Sequence, residues 1–193
     1  MTWSRPARIV SFAALALSVS VSIATAPSAV AAAGTFTATG TWTATGSMTT
    51  PRAQHGATLL PDGDVLVTTG VISGLFSELY HPATGQWSDA SGGTATCASG
   101  RYCRIGSSAT LLSTGDVLLT GGLAGLYSNP SATPTALLYD PATNTWTSTG
   151  SMQTGREGQT ATALTGGQVL VAGGAGFANH VATQLASAEL YSL

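Results

Sequence analysis

Charge is what this sequence has least of. Asp, Glu, Lys and Arg together make up 7% of the 193 residues, where ordinary soluble domains carry about 25%. Lysine is absent, and beyond residue 33 four arginines (Arg52, Arg101, Arg104 and Arg156) stand against eight carboxylates. A protein that grips nucleic acid needs a cationic surface to displace counter-ions from phosphate, so nucleic acid is excluded as a partner. Cysteine is nearly absent too. Cys97 and Cys103 are too few for a disulfide-built scaffold, and no second pair or nearby histidine completes a four-ligand zinc site. Long hydrophobic runs are also lacking. The apolar stretch from Phe12 to Ala26 has 15 residues, diluted by Ser and Thr, short of the ~20 that cross a bilayer.

That stretch follows Arg5 and Arg8 and leads into the small residues of Ala29 to Ala33. Basic start, short apolar middle and small-residue cleavage site make a secretory signal. Residues 1–33 are therefore read as an export signal and 34–193 as the mature chain, secreted and with no membrane attachment after cleavage. Two cysteines in an exported chain point to one disulfide, Cys97–Cys103.

What the mature part has in abundance is repetition. "ATLLPDGDVLVTTG" (Ala57–Gly70) and "ATLLSTGDVLLTGG" (Ala109–Gly122) agree at 10 of 14 positions, and "ATALTGGQVLVAGG" (Ala161–Gly174) follows after the same 52-residue step. Each copy reads as a β-strand, a tight turn with Gly supplying positive φ, and a second β-branched strand. A third strand follows, ending at Tyr80, Tyr139 or Tyr191. A Pro-containing turn then leads into a fourth that starts at Trp87 or Trp146. Gly85 in one turn stands where Asn144 stands in the other. Those two residues best tolerate the left-handed conformation, so the turn is expected to close on one. The fold class is all-β: about three four-stranded antiparallel units, around 43–90, 91–149 and 150–193. One such sheet cannot bury both faces alone, and stacking on its copies solves the problem. The stretch 35–42 reads as a fourth strand without its unit, and the last unit ends on a third strand without its fourth.

The Gly-Gly pairs (Gly121–Gly122, Gly173–Gly174), the Tyr-Asp-Pro, the Trp seven residues after the Tyr, and Arg52, Arg104 and Arg156 before the first strands resemble the kelch motif. The segments "GSMTTPR" and "GSMQTGR" are similar to the family's inter-blade link. Thr69–Gly70 and His81 depart from it. The resemblance implies blades of a β-propeller, in this chain a partial one. It also implies that the three arginines hydrogen-bond loop carbonyls, with ligand contact as the other reading.

Antiparallel strands put the first-to-second and third-to-fourth turns on one side and every other connection on the opposite side. From Trp to Arg takes 10, 17 and 10 residues; from the closing Gly to Tyr takes 10, 17 and 17. All length variation thus falls on one side, and variable loops on a rigid scaffold are where binding sits. The candidates there are Arg101 and Tyr102 between the flanking cysteines, Tyr127, His180, and the motif arginines Arg52, Arg104 and Arg156. The expected activity is a binding or interaction module for a protein or glycan, without cofactor or metal, with a homo-oligomer as one way to complete the propeller.

The enzyme alternative is a fragment or degenerate relative of a secreted galactose oxidase-like copper enzyme, whose blades the phrase from Gly150 to Gly174 is similar to. Its copper site needs two histidines and two tyrosines, one cross-linked to a cysteine. Beyond Cys103 no residue of this chain can be matched to it. His55, His81 and His180 are read as unable to converge on a metal. No G-x-S-x-G occurs, and no acid is spaced along the sequence to orient a histidine for Ser-His-Asp chemistry.

Non-reducing peptide mapping of exported protein is expected to recover Cys97 and Cys103 as one linked pair, worth roughly 2 kcal/mol for so short a loop. Two alkylatable thiols would contradict it.

Overall fold

The computed structural model describes residues 40–70, 76–90, 92, 100–178 and 181–193. The export signal, Cys97 and His180, and most of the stretch 35–42, lie outside the described residues. Within them the protein is all-β, with no helix.

The first repeat folds into β1 (Gly56–Leu59), β2 (Val65–Thr68), β3 (Ser77–His81) and β4 (Gln86–Asp89), paired in that order and antiparallel throughout. Both turns take the expected form. Asp64 O receives the N–H of Leu60 at 2.8 Å across the first turn. In the second, His81 O receives the N–H of Gly85 at 2.8 Å, and Gly85 has φ 69°.

After β5 (Arg101–Ile105), the second repeat supplies β6 (Ser108–Leu111) and β7 (Val117–Thr120). An inserted hairpin, β8 (Leu123–Leu126) and β9 (Asn129–Ala132), precedes β10 (Ala136–Asp140) and β11 (Thr145–Thr149). The repeat sheet runs β11-β10-β7-β6, and Asn144 takes φ 51° where the first repeat has Gly85. The third repeat gives β12 (Thr160–Ala163) and β13 (Val169–Ala172), an inserted hairpin of β14 (Ala175–Ala178) and β15 (Val181–Gln184), and β16 (Ala188–Tyr191). Its sheet has three described strands, β12-β13-β16. Gly40 to Trp42 adopt no strand conformation.

The three sheets meet through their first strands. Gly106 N–H donates to Gln54 O at 3.2 Å, and Gly158 N–H to Gly106 O at 2.7 Å. These three residues are 52 apart in sequence, and all have positive φ, 55°, 71° and 64°. One backbone ladder therefore ties equivalent points of consecutive repeats. Thr58 Oγ1 reaches Ala109 O and Thr110 Oγ1 reaches Ala161 O, both at 3.4 Å.

Between the sheets lie two apolar cores. Leu60, Leu66 and Phe76 of the first sheet pack against Val117, Leu119, Tyr139 and Trp146 of the second. Leu112, Leu118 and Ala136 of the second pack against Val169 and Val171 of the third. Side chains alternate between faces of a strand, so Leu118 and Leu119, neighbours in β7, serve opposite cores. The strands read as unbroken apolar runs because both faces of the middle sheet are covered. Trp146 stacks on Tyr139 at 5.0 Å and meets the edge of Phe76 at 5.5 Å, and its Nε1–H donates to Ala90 O at 2.9 Å. Its large apolar body is thus buried with its polar handle satisfied.

The Gly-Gly pair that closes the second strand has a steric cause. A Cβ on Gly122 (φ 99°) would lie 2.6 Å from Arg104 O, and one on Gly121 (φ 64°) 2.4 Å from Arg156 O. Each pair is pressed against the backbone beside a motif arginine. Thr69 holds the equivalent place in the first repeat at φ 63°, a costly conformation for a β-branched residue. Its buried hydroxyl pairs with Ser107 Oγ at 2.9 Å across the sheet boundary.

Candidate functional site

The three motif arginines occupy one role. Arg52 Nη1 donates to Thr69 O (2.9 Å) and Phe76 O (3.2 Å). Arg156 Nη1 donates to Gly173 O (2.9 Å) and Ser187 O (3.0 Å). Arg104 Nη1 donates to Gly121 O (3.0 Å) and Thr135 O (2.9 Å), and its Nη2 bonds Thr135 Oγ1. Each guanidinium therefore staples the exit of the second strand to the entrance of the third, whatever the length of loop between them. The side chains of Arg52 and Arg156 are fully buried. Their place is the carbonyl-bonding one, with both side chains closed off from solvent.

A partner the sequence reading did not single out completes two of these staples. Glu78 Oε2 accepts from Arg52 Nη2 at 2.6 Å, and the same carboxylate accepts the backbone N–H groups of Thr49 and Thr50 at 2.7 and 3.2 Å. Glu189 repeats the pattern with Arg156 at 2.9 Å and with the N–H groups of Gln153 and Thr154 at 2.6 and 3.1 Å. The signal was legible: Glu stands two residues before the Tyr in both "SELY" and "AELY". The second repeat has Leu137 there, and burial without that carboxylate pushes the Arg104 guanidinium down to about 10. For Glu78, burial raises the pKa, but the hydrogen bonds from Arg52, Thr49 and Thr50 outweigh it and leave the carboxyl below its ordinary value. Glu189 is lowered too: burial opposes the shift, and hydrogen bonds from Gln153, Arg156 and Thr154 prevail.

The variable side carries more order than loops. β8 and β9 recruit β5 into a second three-stranded sheet, β5-β8-β9. β14 and β15 form a hairpin whose first strand lies beside β9. A bulge at Arg104 (φ 54°) shifts the β5–β8 register between Cys103 and Ile105. It separates the outward part of β5 from the staple at its end. Tyr102 lies opposite Gly125, and Arg101 opposite Leu126. Tyr127 sits in the β8–β9 turn, anchored by its N–H to Gly100 O at 3.1 Å. The rings of Tyr102 and Tyr127 meet at 4.7 Å and 56°. Arg101 is exposed, as are Leu126 (49%) and Tyr127 (42%). The structure thus gathers three of the candidates, Arg101, Tyr102 and Tyr127, and adds Leu126. Arg52, Arg104 and Arg156 belong to the scaffold below. A shallow hollow of about 440 Å³ lies on the third repeat between Glu157, Gly158, Gly174 and Leu185.

On the opposite, turn side the sequence reading needs one correction. An acid does orient a histidine. Asp64 Oδ2 lies 2.6 Å from His81 Nδ1, and Ser88 Oγ lies 2.8 Å from His81 Nε2. The register causes it: Val65 faces Tyr80 across β2 and β3, so Asp64 falls opposite His81. The Asp–His–Ser row braces three strands at the turn end of the first sheet. In the second sheet Asp140 occupies the place of His81 and caps its own turn, receiving Thr143 Oγ1–H and Ala142 N–H, both at 2.8 Å. Those bonds hold its carboxyl below the ordinary value. The nearby hollow of about 290 Å³ is lined by Pro61, Asp62, Asp116 and Asp140; neither His81 nor Ser88 lines it. The turn side is acidic. Burial first, then the charges of Asp62, Asp140, Asp64 and Asp89, push the Tyr139 phenol up to about 12.

His55 is exposed just before β1. Among the described residues no three His, Cys, Asp or Glu groups converge on a point where a metal could bind. No protein-family model and no curated protein matches the chain.

The clamp carboxylates set a pH dependence. A folded-state pKa below the unfolded value of about 4.3 contributes stability above that value and loses it as pH falls through the folded pKa. Thermal melts should therefore be flat from pH 7 to about 5 and fall below about 4. Glu78→Gln should lower stability at pH 7 by about 3 kcal/mol, since it leaves Arg52 buried without its counter-charge. The gap to wild type should close as pH drops. A gap that is unchanged at pH 3 would contradict the assignment.

Proposed function

We propose that the protein is an exported, kelch-type binding module that holds a protein or glycan on its variable side, with Arg101, Tyr102, Leu126 and Tyr127 at the centre of the contact. The single observation behind this reading is the Tyr102–Tyr127 pair. Two tyrosines in ring contact stand at the surface of a sheet built from inserted segments, beside an exposed arginine. Tyr and Arg are the residues that dominate binding energy in interfaces, because a rigid amphipathic ring or planar fork loses little entropy on contact. The same rings offer flat apolar faces to a sugar and a hydroxyl to its polar rim. Below them, the arginine staples and the two packed cores fix the strand ends, so the platform is held before a ligand arrives.

Binding is tested by screening the purified protein on glycan and protein arrays and titrating the retained ligand. Tyr127→Ala is expected to weaken binding about tenfold or more with an unchanged melting temperature. A ligand whose affinity survives both Tyr127→Ala and Arg101→Ala would overturn this choice of site.

A further inference from the structure

The segment that leads into the first sheet is a second copy of the one that leads into the third. Gly40 to Arg52 reads "GTWTATGSMTTPR" and Asn144 to Arg156 reads "NTWTSTGSMQTGR", identical at 9 of 13 positions. From Thr45 onward the two are also seated alike. Thr45 Oγ1 meets the Tyr80 hydroxyl at 2.7 Å, as Thr149 Oγ1 meets that of Tyr191 at 2.9 Å. Thr49 and Thr50 donate to Glu78 as Gln153 and Thr154 donate to Glu189.

The two part company before that point. Trp146 lies in β11, hydrogen-bonded to β10 and stacked on Tyr139, 8% exposed. Trp87 in β4 stacks on Tyr80 in the same way at 5.1 Å. Trp42, in the equivalent place, belongs to no strand and is fully exposed. Among the described residues, no third strand ending in Tyr lies beside it. The chain contains such a strand at β16, whose outer edge has no partner among the described residues.

The flanking faces match the same way. Leu112 is 5% exposed against the third sheet, while its equivalent Leu164 is 39% exposed. Leu138 packs into the core between the second and third sheets, while its equivalent Leu190 is 57% exposed. On the leading side, Leu111 packs toward the first sheet, while its equivalent Leu59 is 64% exposed. The open faces at the two ends are thus the two halves of the inter-sheet contact the chain already makes twice.

We infer that a second copy of this chain docks head to tail. The segment around Trp42 of one copy adds a strand to β16 of the other, Trp42 stacks on Tyr191 as Trp146 does on Tyr139, and Leu59 packs into the face that carries Leu164 and Leu190. A head-to-tail contact between two copies that closes at both ends is a symmetric ring.

Sedimentation velocity of the purified full chain between about 1 and 100 µM, with wild type, Trp42→Ser and Leu190→Asp, tests this. Wild type is expected to shift from monomer to dimer across the range. Trp42→Ser should weaken the association at least tenfold with an unchanged circular dichroism spectrum, because Trp42 is fully exposed and packs on nothing among the described residues. Leu190→Asp should do the same from the other face. A wild type that stays monomeric at every concentration, or an association that Trp42→Ser leaves intact, overturns the inference.

Discussion

Every repeat of this protein turns on a buried arginine. A four-stranded sheet with an insertion between its second and third strands faces a problem. The insertion can be any length, yet the strands on either side must stay in register. Arg52, Arg104 and Arg156 solve it by donating to one carbonyl at each end of the insertion. Planar guanidinium suits the task, because its donors diverge at fixed angles and stay charged in the interior. Two of the three are neutralised by a carboxylate that also accepts the preceding link, so one cluster fixes three segments. With so few charges in the chain, a large share of them is spent below the surface.

The staples separate scaffold from elaboration. Beneath them, the first strands are tied by the Gln54–Gly106–Gly158 ladder and the sheets by two apolar cores. Above them, insertions grow into β5-β8-β9 and the β14–β15 hairpin without disturbing what lies below. That arrangement supports the binding reading: an adaptable polar and aromatic layer over a fixed base. It also accounts for the glycines. Gly121, Gly122 and Gly174 lie where the arginine-bearing segment crosses the strand exit within 3 Å of an added Cβ.

The sequence disclosed the sheets because their cause is local and repeated. Turn glycines, alternation of β-branched residues and a fixed 52-residue step place the strands β1, β2, β6, β7, β12 and β13 within a residue or two. The equivalence of Gly85 and Asn144 foretold two left-handed residues, and both are left-handed. What stayed hidden depends on pairing across distance. Asp64 and His81 are 17 residues apart, and only the register of β2 against β3 brings them together. β5 read as part of the loop between the two cysteines; it is a strand because the inserted β8 offers it an edge, with Tyr102 opposite Gly125. Leu137 hides a missing charge: its apolar side chain fits a strand pattern, and nothing local says that Arg104 below it has no acid partner among the described residues.

The arginine staples hold the strands of each repeat in register across its insertion. Calorimetric unfolding of Arg156→Met at pH 7 tests it most directly. Met keeps the apolar stem and removes the donors from Gly173, Ser187 and Glu189. The expected loss is about 3–5 kcal/mol, the cost of breaking a buried pair from one side. A change within about 0.5 kcal/mol, the range of an ordinary surface substitution, would contradict it.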